Sequence, residues 1–337
     1  MGVAPSRLPS LAETVARSRL SAGTGATIDL SQTADDIVAL LHAGDVAEAA
    51  NDLDRARQGR SQVIQDALDR LVSARANRCY APPGGSGPTV AATLNRISFA
   101  WQVTPRLPDA TQMAALTDQQ RHDVYASIVE AKGTVAAKTA AESGDRVILG
   151  LRVSQSTLVN SGQGHYGDRI VVLRRQGRTR VASEFMTANT QPTAQYDGNQ
   201  KRTPGIIFRR ADGEDITRDG IPELGRLTAN TYALLATTHS NPRSAGTNFS
   251  LRPTTDAVTA GVNRVERDSN HDGLFDANDP NRFTNLNNTF KIHSGSRSNT
   301  DSAGCQTIAP GDFKRFEAAV KGGMQTVWQY VLVEVQR

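Results

Sequence analysis

Cysteine is scarce in this sequence, which holds only Cys79 and Cys305 among 337 residues. Two thiols cannot supply the network of disulfide bonds that holds small secreted proteins together. The fold must therefore be stabilised by an apolar core, for which a 38% share of apolar residues and a 21% share of charged residues are sufficient. We expect both thiols to be free.

Long apolar runs are also lacking. No stretch approaches the roughly 18–20 apolar residues that a membrane-spanning helix needs. The N-terminus lacks the basic segment followed by an apolar segment that marks a secretory signal peptide. The sequence therefore predicts a protein with no membrane span and no such signal.

Neither sign of charge is in large excess, since 38 Lys and Arg stand against 34 Asp and Glu. No cluster of interleaved arginines and aromatic residues indicates nucleic-acid binding. No set of His, Cys and carboxylate residues has the spacing of a zinc site, and no glycine-rich phosphate loop is present. These absences disfavour nucleic-acid-binding proteins, metallopeptidases and nucleotide-binding enzymes.

The first half of the sequence has apolar residues at helical spacing. Residues 31–76 predict two amphipathic helices, the first with Ser31 as its N-cap. Residues 81–88, which run APPGGSGP, have the composition of a linker. We therefore predict a helical N-terminal domain over 1–80, that linker over 81–88, and a helical connecting region over 89–143.

The second half changes character at Gly144, where strand-like runs replace the helical pattern. A helix is predicted over 310–321. The candidate strands are 146–153, 169–174, 181–186, 205–208, 231–235 and 328–335. The sequence thus predicts an α+β protein, in which a helical N-terminal region precedes a mainly β domain over 144–337 with one helix after Cys305.

The residues with the clearest chemical meaning are His293 and Cys305, which lie twelve positions apart. A β-branched and aromatic run over 289–292 predicts a strand that leads to the histidine, and small residues over 302–304 predict a turn that exposes the thiol. Thiol chemistry needs such a pair, because the thiolate is the nucleophile and a neighbouring imidazole can take the proton. The alternative is a buried apolar cysteine beside a surface histidine, and the flanking residues favour the site.

The same residues resemble the catalytic motif of the L,D-transpeptidase (YkuD-like) family, in a divergent branch found in phage-like and secreted bacterial proteins. That resemblance implies a sheet-rich catalytic domain whose cysteine attacks the peptide bond after the third residue of a peptidoglycan stem peptide. It also implies that Cys305 is the nucleophile and His293 the general base. The carbonyl of Ser294 would orient the imidazole, and amides around Gly304 and Cys305 would form the oxyanion hole.

The turn departs from the common family pattern, Ser-His-Gly-Cys followed after one residue by Arg or Asn. Ala303 stands where the second histidine would be, and Thr307 where the Arg or Asn would be. Ser302 matches the residue that opens the family's turn, and we expect Ser302, Arg297 and Asp301 to bind the substrate. The departures leave open whether the enzyme crosslinks stem peptides or hydrolyses them as a carboxypeptidase or endopeptidase.

A second motif, over 268–279, fits a calcium loop of the EF-hand or dockerin type. Calcium needs six or more oxygen ligands at ~2.3–2.6 Å, and Gly273 at position 6 allows the sharp turn. A polar surface turn is the alternative, and our hypothesis is that calcium orders a wall of the active site. The expected ligands are the side chains of Asp268, Asn270, Asp272, Asp276 and Asp279 and the backbone carbonyl of Leu274.

A degenerate copy of this motif begins at Asp215, but its position 12 is Arg226, which cannot bind a cation. A plain turn is the favoured interpretation there. His271, at position 4 of the first loop, is expected to point outward. His239 is expected to lie in a polar loop without a special role.

The leading hypothesis is an enzyme that acts on peptidoglycan stem peptides in the periplasm or cell wall, which it would reach by leaderless export or by release. An antibacterial effector or a lytic enzyme fits this organisation, with the N-terminal helical region as the candidate binding site for a secretion machine or an immunity protein. Two alternatives stay open: a non-catalytic, calcium-stabilised wall-binding module, and a cysteine peptidase that acts on proteins.

Overall fold

A computed structural model describes residues 28–77, 88–177, 179–240 and 247–337. Its described residues fall into two compact units. The first is drawn from Met1–Val103 and Pro108–Ala131, and the second from Thr104–Leu107 and Lys132–Arg337. Cys79 and most of the linker predicted over 81–88 lie outside the described residues, so the predicted domain limits stay predictions.

The first unit is helical, and its core consists of the apolar faces that the sequence pattern indicates. Ile37, Leu53 and Leu68 are among its fully buried side chains. No helix in the part of the chain that the structure describes is both long and apolar enough to cross a membrane. The helices are α1 (Leu30–His42), α2 (Val46–Arg57), α3 (Gln62–Ala76), α4 (Pro88–Phe99), α5 (Ala110–Ala114) and α6 (Asp118–Lys132).

The prediction of two helices over 31–76 is wrong, because the chain forms three. The extra break lies at Gly44, whose φ of 81° is one that L side chains rarely adopt. Asp45 then caps α2 by accepting a hydrogen bond from the amide of Glu48 at 3.3 Å. The N-cap of α1 is Asp29 rather than Ser31, because the Asp29 carboxylate accepts the amide of Gln32 at 3.0 Å.

The second unit is mainly β, so the predicted α+β class is confirmed at that level. Eight of its strands close into a barrel in the order β1-β11-β5-β6-β9-β10-β3-β2, and β4, β7 and β8 form a separate sheet. The helices are α7 (Val135–Ser143), α8 (Thr255–Thr259) and α9 (Pro310–Val320). The strands are β1 (Val147–Arg152), β2 (Asp168–Gln176), β3 (Thr179–Asn189), β4 (Gly225–Leu227), β5 (Asn230–Ser240), β6 (Thr247–Pro253), β7 (Arg264–Arg267), β8 (Phe283–Asn285), β9 (Ile292–Ser294), β10 (Gln306–Ile308) and β11 (Val327–Glu334).

Five of the six predicted strands are present, and the strand predicted over 205–208 is wrong. Gly205 has a φ of 84°, and Pro204 before it has no amide to donate to a ladder. The amide of Ile207 instead donates to the carbonyl of Ser161 in a loop, at 2.9 Å.

The barrel and α9 share one apolar core, which fixes the segment that follows the cysteine. Phe316 of α9 is fully buried and meets Phe185 of β3 edge to face, with the ring centroids 5.4 Å apart. Phe313 and Val320 lie in the same cluster. Because α9 begins two residues after β10, this packing holds the strand that directly follows the cysteine.

Candidate active site

Cys305 and His293 belong to two segments that a pair of short parallel strands joins. In the register of β9 and β10, Thr307 is opposite His293, and the amide of Gln306 donates to the carbonyl of Lys291 at 2.8 Å. Cys305 directly precedes β10 and His293 is the middle residue of β9. No hydrogen bond joins these two described side chains.

The turn before the cysteine depends on Gly304. Its φ of 143° favours glycine, and a Cβ added there would lie 2.4 Å from the carbonyl oxygen of Gly225. The buried hydroxyl of Ser302 donates to the carbonyl of Cys305 at 2.6 Å and accepts the amide of Gly304 at 3.1 Å. Ser302 therefore shapes the turn, and its contact with substrate stays a prediction.

Cys305 is a free, half-buried thiol whose sulfur lies 3.6 Å from the carbonyl oxygen of Thr289. Burial raises its pKa to about 11, although the amide and the charge of Lys291 act in the opposite direction. The thiol is therefore protonated at neutral pH. The amide of Cys305 has no acceptor among the described residues.

The imidazole of His293 is held in one tautomer. Its Nδ1 lies 2.8 Å from the carbonyl oxygen of Ser294, the contact that the family resemblance implies. A carbonyl can only accept, so Nδ1 carries the proton and Nε2 keeps its lone pair. Burial, together with the nearby His239, lowers the pKa of His293 to about 4. At neutral pH His293 is thus an uncharged base.

His239 was missed as a site residue, and the prediction that it lies in a polar loop is wrong. It belongs to β5 and stacks on His293, with the ring centroids 4.1 Å apart and the planes 12° from parallel. Burial and the charge of Lys291 lower its own pKa. The stacked ring of His239 shields one face of the His293 imidazole and holds that imidazole in position.

We expect His239→Ala to raise the pKa of His293 from about 4 towards the ordinary value of about 6.5. Removal of the stacked ring admits water to the buried imidazole and deletes a neighbour that opposes its protonation. The titration of the His293 Cε1 proton, followed by NMR, measures the shift. His165→Ala, which removes an exposed histidine, is the control. An unchanged titration in His239→Ala would contradict the positioning role.

A wall beside the turn is formed by the segment 193–209. Both the amide and the hydroxyl of Thr193 donate to the carbonyl of Ser302, at 2.9 and 2.8 Å. The hydroxyl of Tyr196 bonds the carboxylate of Asp301, and Arg209 contacts both groups. Asp301 is therefore paired beside the turn that precedes Cys305, and its binding of substrate stays a prediction.

The wall is fixed to the barrel at Thr190. The fully buried Arg152 donates to the Thr190 carbonyl at 2.8 Å and to its hydroxyl at 3.0 Å. The carboxylate of Asp168 accepts the Thr190 amide at 2.7 Å. These charge-assisted hydrogen bonds tie Thr190, three residues before the wall segment, to β1 and β2.

The loop between His293 and the turn is packed against Tyr166. The hydroxyl of Tyr166 donates to the carbonyl of Ser296 at 2.7 Å, and a Cβ at Gly295 would lie 2.3 Å from its oxygen. Arg297, a predicted substrate-binding residue, is exposed in this loop. It is thus available to an anionic ligand.

The predicted calcium loop forms a series of side-chain-capped turns. Gly273 has a φ of 83°, and its amide donates to Asp268 Oδ2 at 3.0 Å. Asn270 and Asp272 each accept the amide two residues later, at 3.0 and 2.8 Å. Asp279 is buried and accepts the amides of Ser269 and Asp276. The loop is thus closed between positions 2 and 12.

The sequence predicted that His271 points outward, and this prediction is wrong. It is 8% exposed, and its Nδ1 lies 2.9 Å from Oδ1 of Asp197. A φ of 59° at His271 turns the side chain inward. The 268–279 loop therefore contacts the wall segment, a contact that the sequence did not indicate.

The degenerate loop gathers its acids more closely than expected. Ligand atoms of Asp215, Asp219 and Glu223 lie within 4.8 Å of one another, the one such acidic group found among the described residues. Glu223 is buried, but its two oxygens accept hydrogen bonds from Ile216 and Thr217, at 2.7 and 2.6 Å. These carboxylate oxygens already have protein partners, and the group is not evidence of a bound ion.

Comparisons of this chain with family models, with curated proteins and with solved structures give no match. The site is therefore interpreted from its own geometry and chemistry.

Proposed function

We propose that this protein is a cysteine-dependent acyl-transfer enzyme that acts on peptidoglycan stem peptides. One observation carries the proposal. A buried, uncharged imidazole, held through Nδ1 by the Ser294 carbonyl, lies on β9, which pairs in parallel with β10, the strand that begins directly after the half-buried thiol of Cys305. A thiol nucleophile needs such a base. The choice of substrate rests on the family resemblance of the motif.

In the first step, Nε2 of His293 takes the proton from Cys305 as Sγ bonds to the carbonyl carbon of the scissile peptide bond. The carbon–nitrogen bond then breaks, and the imidazolium returns the proton to the leaving D-residue amine. A thioester remains on Cys305. Sulfur and ring are not hydrogen-bonded without substrate, and such contacts tighten in the reacting complex.

In the second step, an acceptor amine or water attacks the thioester carbonyl, and His293 takes its proton. The carbon–sulfur bond breaks, and the thiolate recovers a proton from the imidazolium. An amine gives a crosslink or an exchanged residue, whereas water gives a trimmed stem. The Cys305 amide supports both steps because it has no acceptor among the described residues and can bind the oxyanion.

The setting of this activity is the periplasm or the cell wall, where the substrate occurs. We propose an exported antibacterial effector or a lytic enzyme, with the helical unit as the binding site for a secretion machine or an immunity protein. The modest net charge of +4 is compatible with a polyanionic wall.

The test is incubation of intact sacculi with the wild-type protein, Cys305→Ala and Cys79→Ser, followed by mass analysis of the released muropeptides. We expect altered stems with the wild type and with Cys79→Ser, and none with Cys305→Ala. New dimers would indicate crosslinking, and shortened stems hydrolysis.

Unaltered stems in every sample, with equal cosedimentation of wild type and Cys305→Ala with sacculi, would instead support the non-catalytic wall-binding module. Cleavage of casein by the wild type alone would support a cysteine peptidase that acts on proteins. Either result would overturn the proposed function.

A further inference from the structure

Two fully buried carboxylates, one in the 268–279 loop and one in the wall segment, each have an oxygen without a hydrogen-bond partner among the described residues. Asp268 uses Oδ2 for the amide of Gly273, but its Oδ1 has no partner among the described residues. Asp197, from the wall segment, uses Oδ1 for His271 and for the amide of Asn199, and its Oδ2 is likewise unpaired. Unpaired anionic oxygens in a protein interior are costly unless a cation lies against them.

The two carboxylates also belong to one concentration of negative charge. The carboxylates of Asp197, Asp279 and Asp272 all act on the buried Asp268 as nearby negative charges. The described side chains that face this group include one base, His271, which is paired to Asp197. The cluster therefore holds more negative charge than its protein partners neutralise.

We propose that Asp197 joins the 268–279 loop to form one calcium site built from two segments. Asp268 and Asp197 would supply their unpaired carboxylate oxygens, and Asp197 adds a carboxylate that the loop motif lacks. Asn270, Asp272 and the Leu274 carbonyl would close on the ion as it binds, because no three carboxylates of this set lie within 4.8 Å of one another among the described residues. Calcium suits this set because it accepts six to eight oxygens in irregular geometry, whereas magnesium requires a near-ideal octahedron. Asp197 also compensates for the short reach of Asp279 at position 12, which is engaged with loop amides.

The ion would stiffen the wall that carries the nucleophile turn. Tyr196, next to Asp197, packs with Leu224 and with Phe275 of the calcium loop, and Ala303 lies against this apolar cluster. Ala303 immediately precedes Gly304. A cation that fixes Asp197 against the loop thus fixes the surface on which the cysteine turn rests, whether or not the thiol is catalytic.

The test titrates the full-length, EDTA-treated protein with CaCl2 by calorimetry and follows its melting temperature. We expect one calcium ion per chain and a rise in Tm of roughly 5–10 °C at calcium 100-fold above Kd, with a smaller rise in MgCl2. Asp268→Asn should abolish binding, and Asp197→Asn should weaken it at least tenfold. Asp256→Asn, which alters an exposed carboxylate of α8, is the matched control.

Absence of calcium binding in the wild type would overturn the site, as would unchanged affinity in Asp197→Asn. Loss of binding in Asp215→Asn with retention in Asp268→Asn would place the ion in the other acidic loop and also overturn the proposal. If Asp268→Asn fails to fold, the wild type and Asp197→Asn still decide the question. None of these readouts depends on peptidoglycan activity, so this site and the proposed function can fail separately.

The proposed effect of calcium on the cysteine turn is tested by a separate measurement. Removal of calcium is expected to speed the alkylation of Cys305 at constant pH, measured on its own peptide by mass spectrometry so that Cys79 does not interfere. Calcium binding with an unchanged alkylation rate would overturn the coupling.

Discussion

Alkylation of Cys305 by iodoacetamide should accelerate about a thousandfold between pH 7 and pH 10 without reaching a plateau. Only the thiolate reacts, so the rate follows its fraction. With a pKa of about 11, roughly one thiol in ten thousand is ionised at pH 7 and one in ten at pH 10. A cysteine with an ordinary pKa near 8.5 would gain only about thirtyfold and level off.

Peptide mass spectrometry at fixed calcium concentration measures this profile, and the same peptide in urea-unfolded protein provides the matched control. Circular dichroism checks that the fold persists at pH 10. A plateau in the alkylation rate between pH 7 and 8 would mean that the folded protein holds a preformed thiolate. That result would contradict the raised pKa of Cys305. A rise through pH 10 means that the resting thiol is protonated at neutral pH and needs a base in catalysis, the role proposed for His293.

The sequence indicated the long barrel strands because their own patterns are strong. Residues 146–153 and 169–174 are rich in β-branched and aliphatic side chains, and both coincide with strands of the barrel. β4, β8, β9 and β10 have three residues each, too few for any periodic pattern. Their strand conformation comes from hydrogen bonding to neighbours, as where β10 pairs with both β9 and β3.

The same difference between local sequence pattern and long-range contact decides which site residues the sequence could predict. His293 and Cys305 could be predicted because they are close in sequence and their flanking residues form a motif. His239 and Thr193 could not, since barrel closure and the buried anchor at Thr190 bring them from distant segments. The contact of Asp197 with His271 was missed for the same reason: the calcium motif describes one continuous loop, whereas Asp197 comes from another segment.

Gly304→Ala should lower the turnover of a synthetic stem peptide at least about a hundredfold, because a nucleophile displaced by about 1 Å loses that much rate. The φ of 143° disfavours alanine, and the new Cβ would lie 2.4 Å from the Gly225 carbonyl oxygen and 2.9 Å from the ring of Phe290. Neither neighbour is the end of a flexible chain, so the turn itself must move. The strain should also destabilise the fold by about 1–3 kcal/mol.

Gly311→Ala is the matched control, since a Cβ there meets nothing within 4 Å and the residue lies in the first turn of α9. It should leave turnover unchanged and raise stability slightly, because alanine is the better helix former. Steady-state kinetics and thermal unfolding of both variants separate the effects. Wild-type turnover in Gly304→Ala would mean that the turn tolerates a side chain at this position. The position of the Cys305 sulfur would then not depend on the hydrogen bonds that Ser302 makes to Gly304 and Cys305.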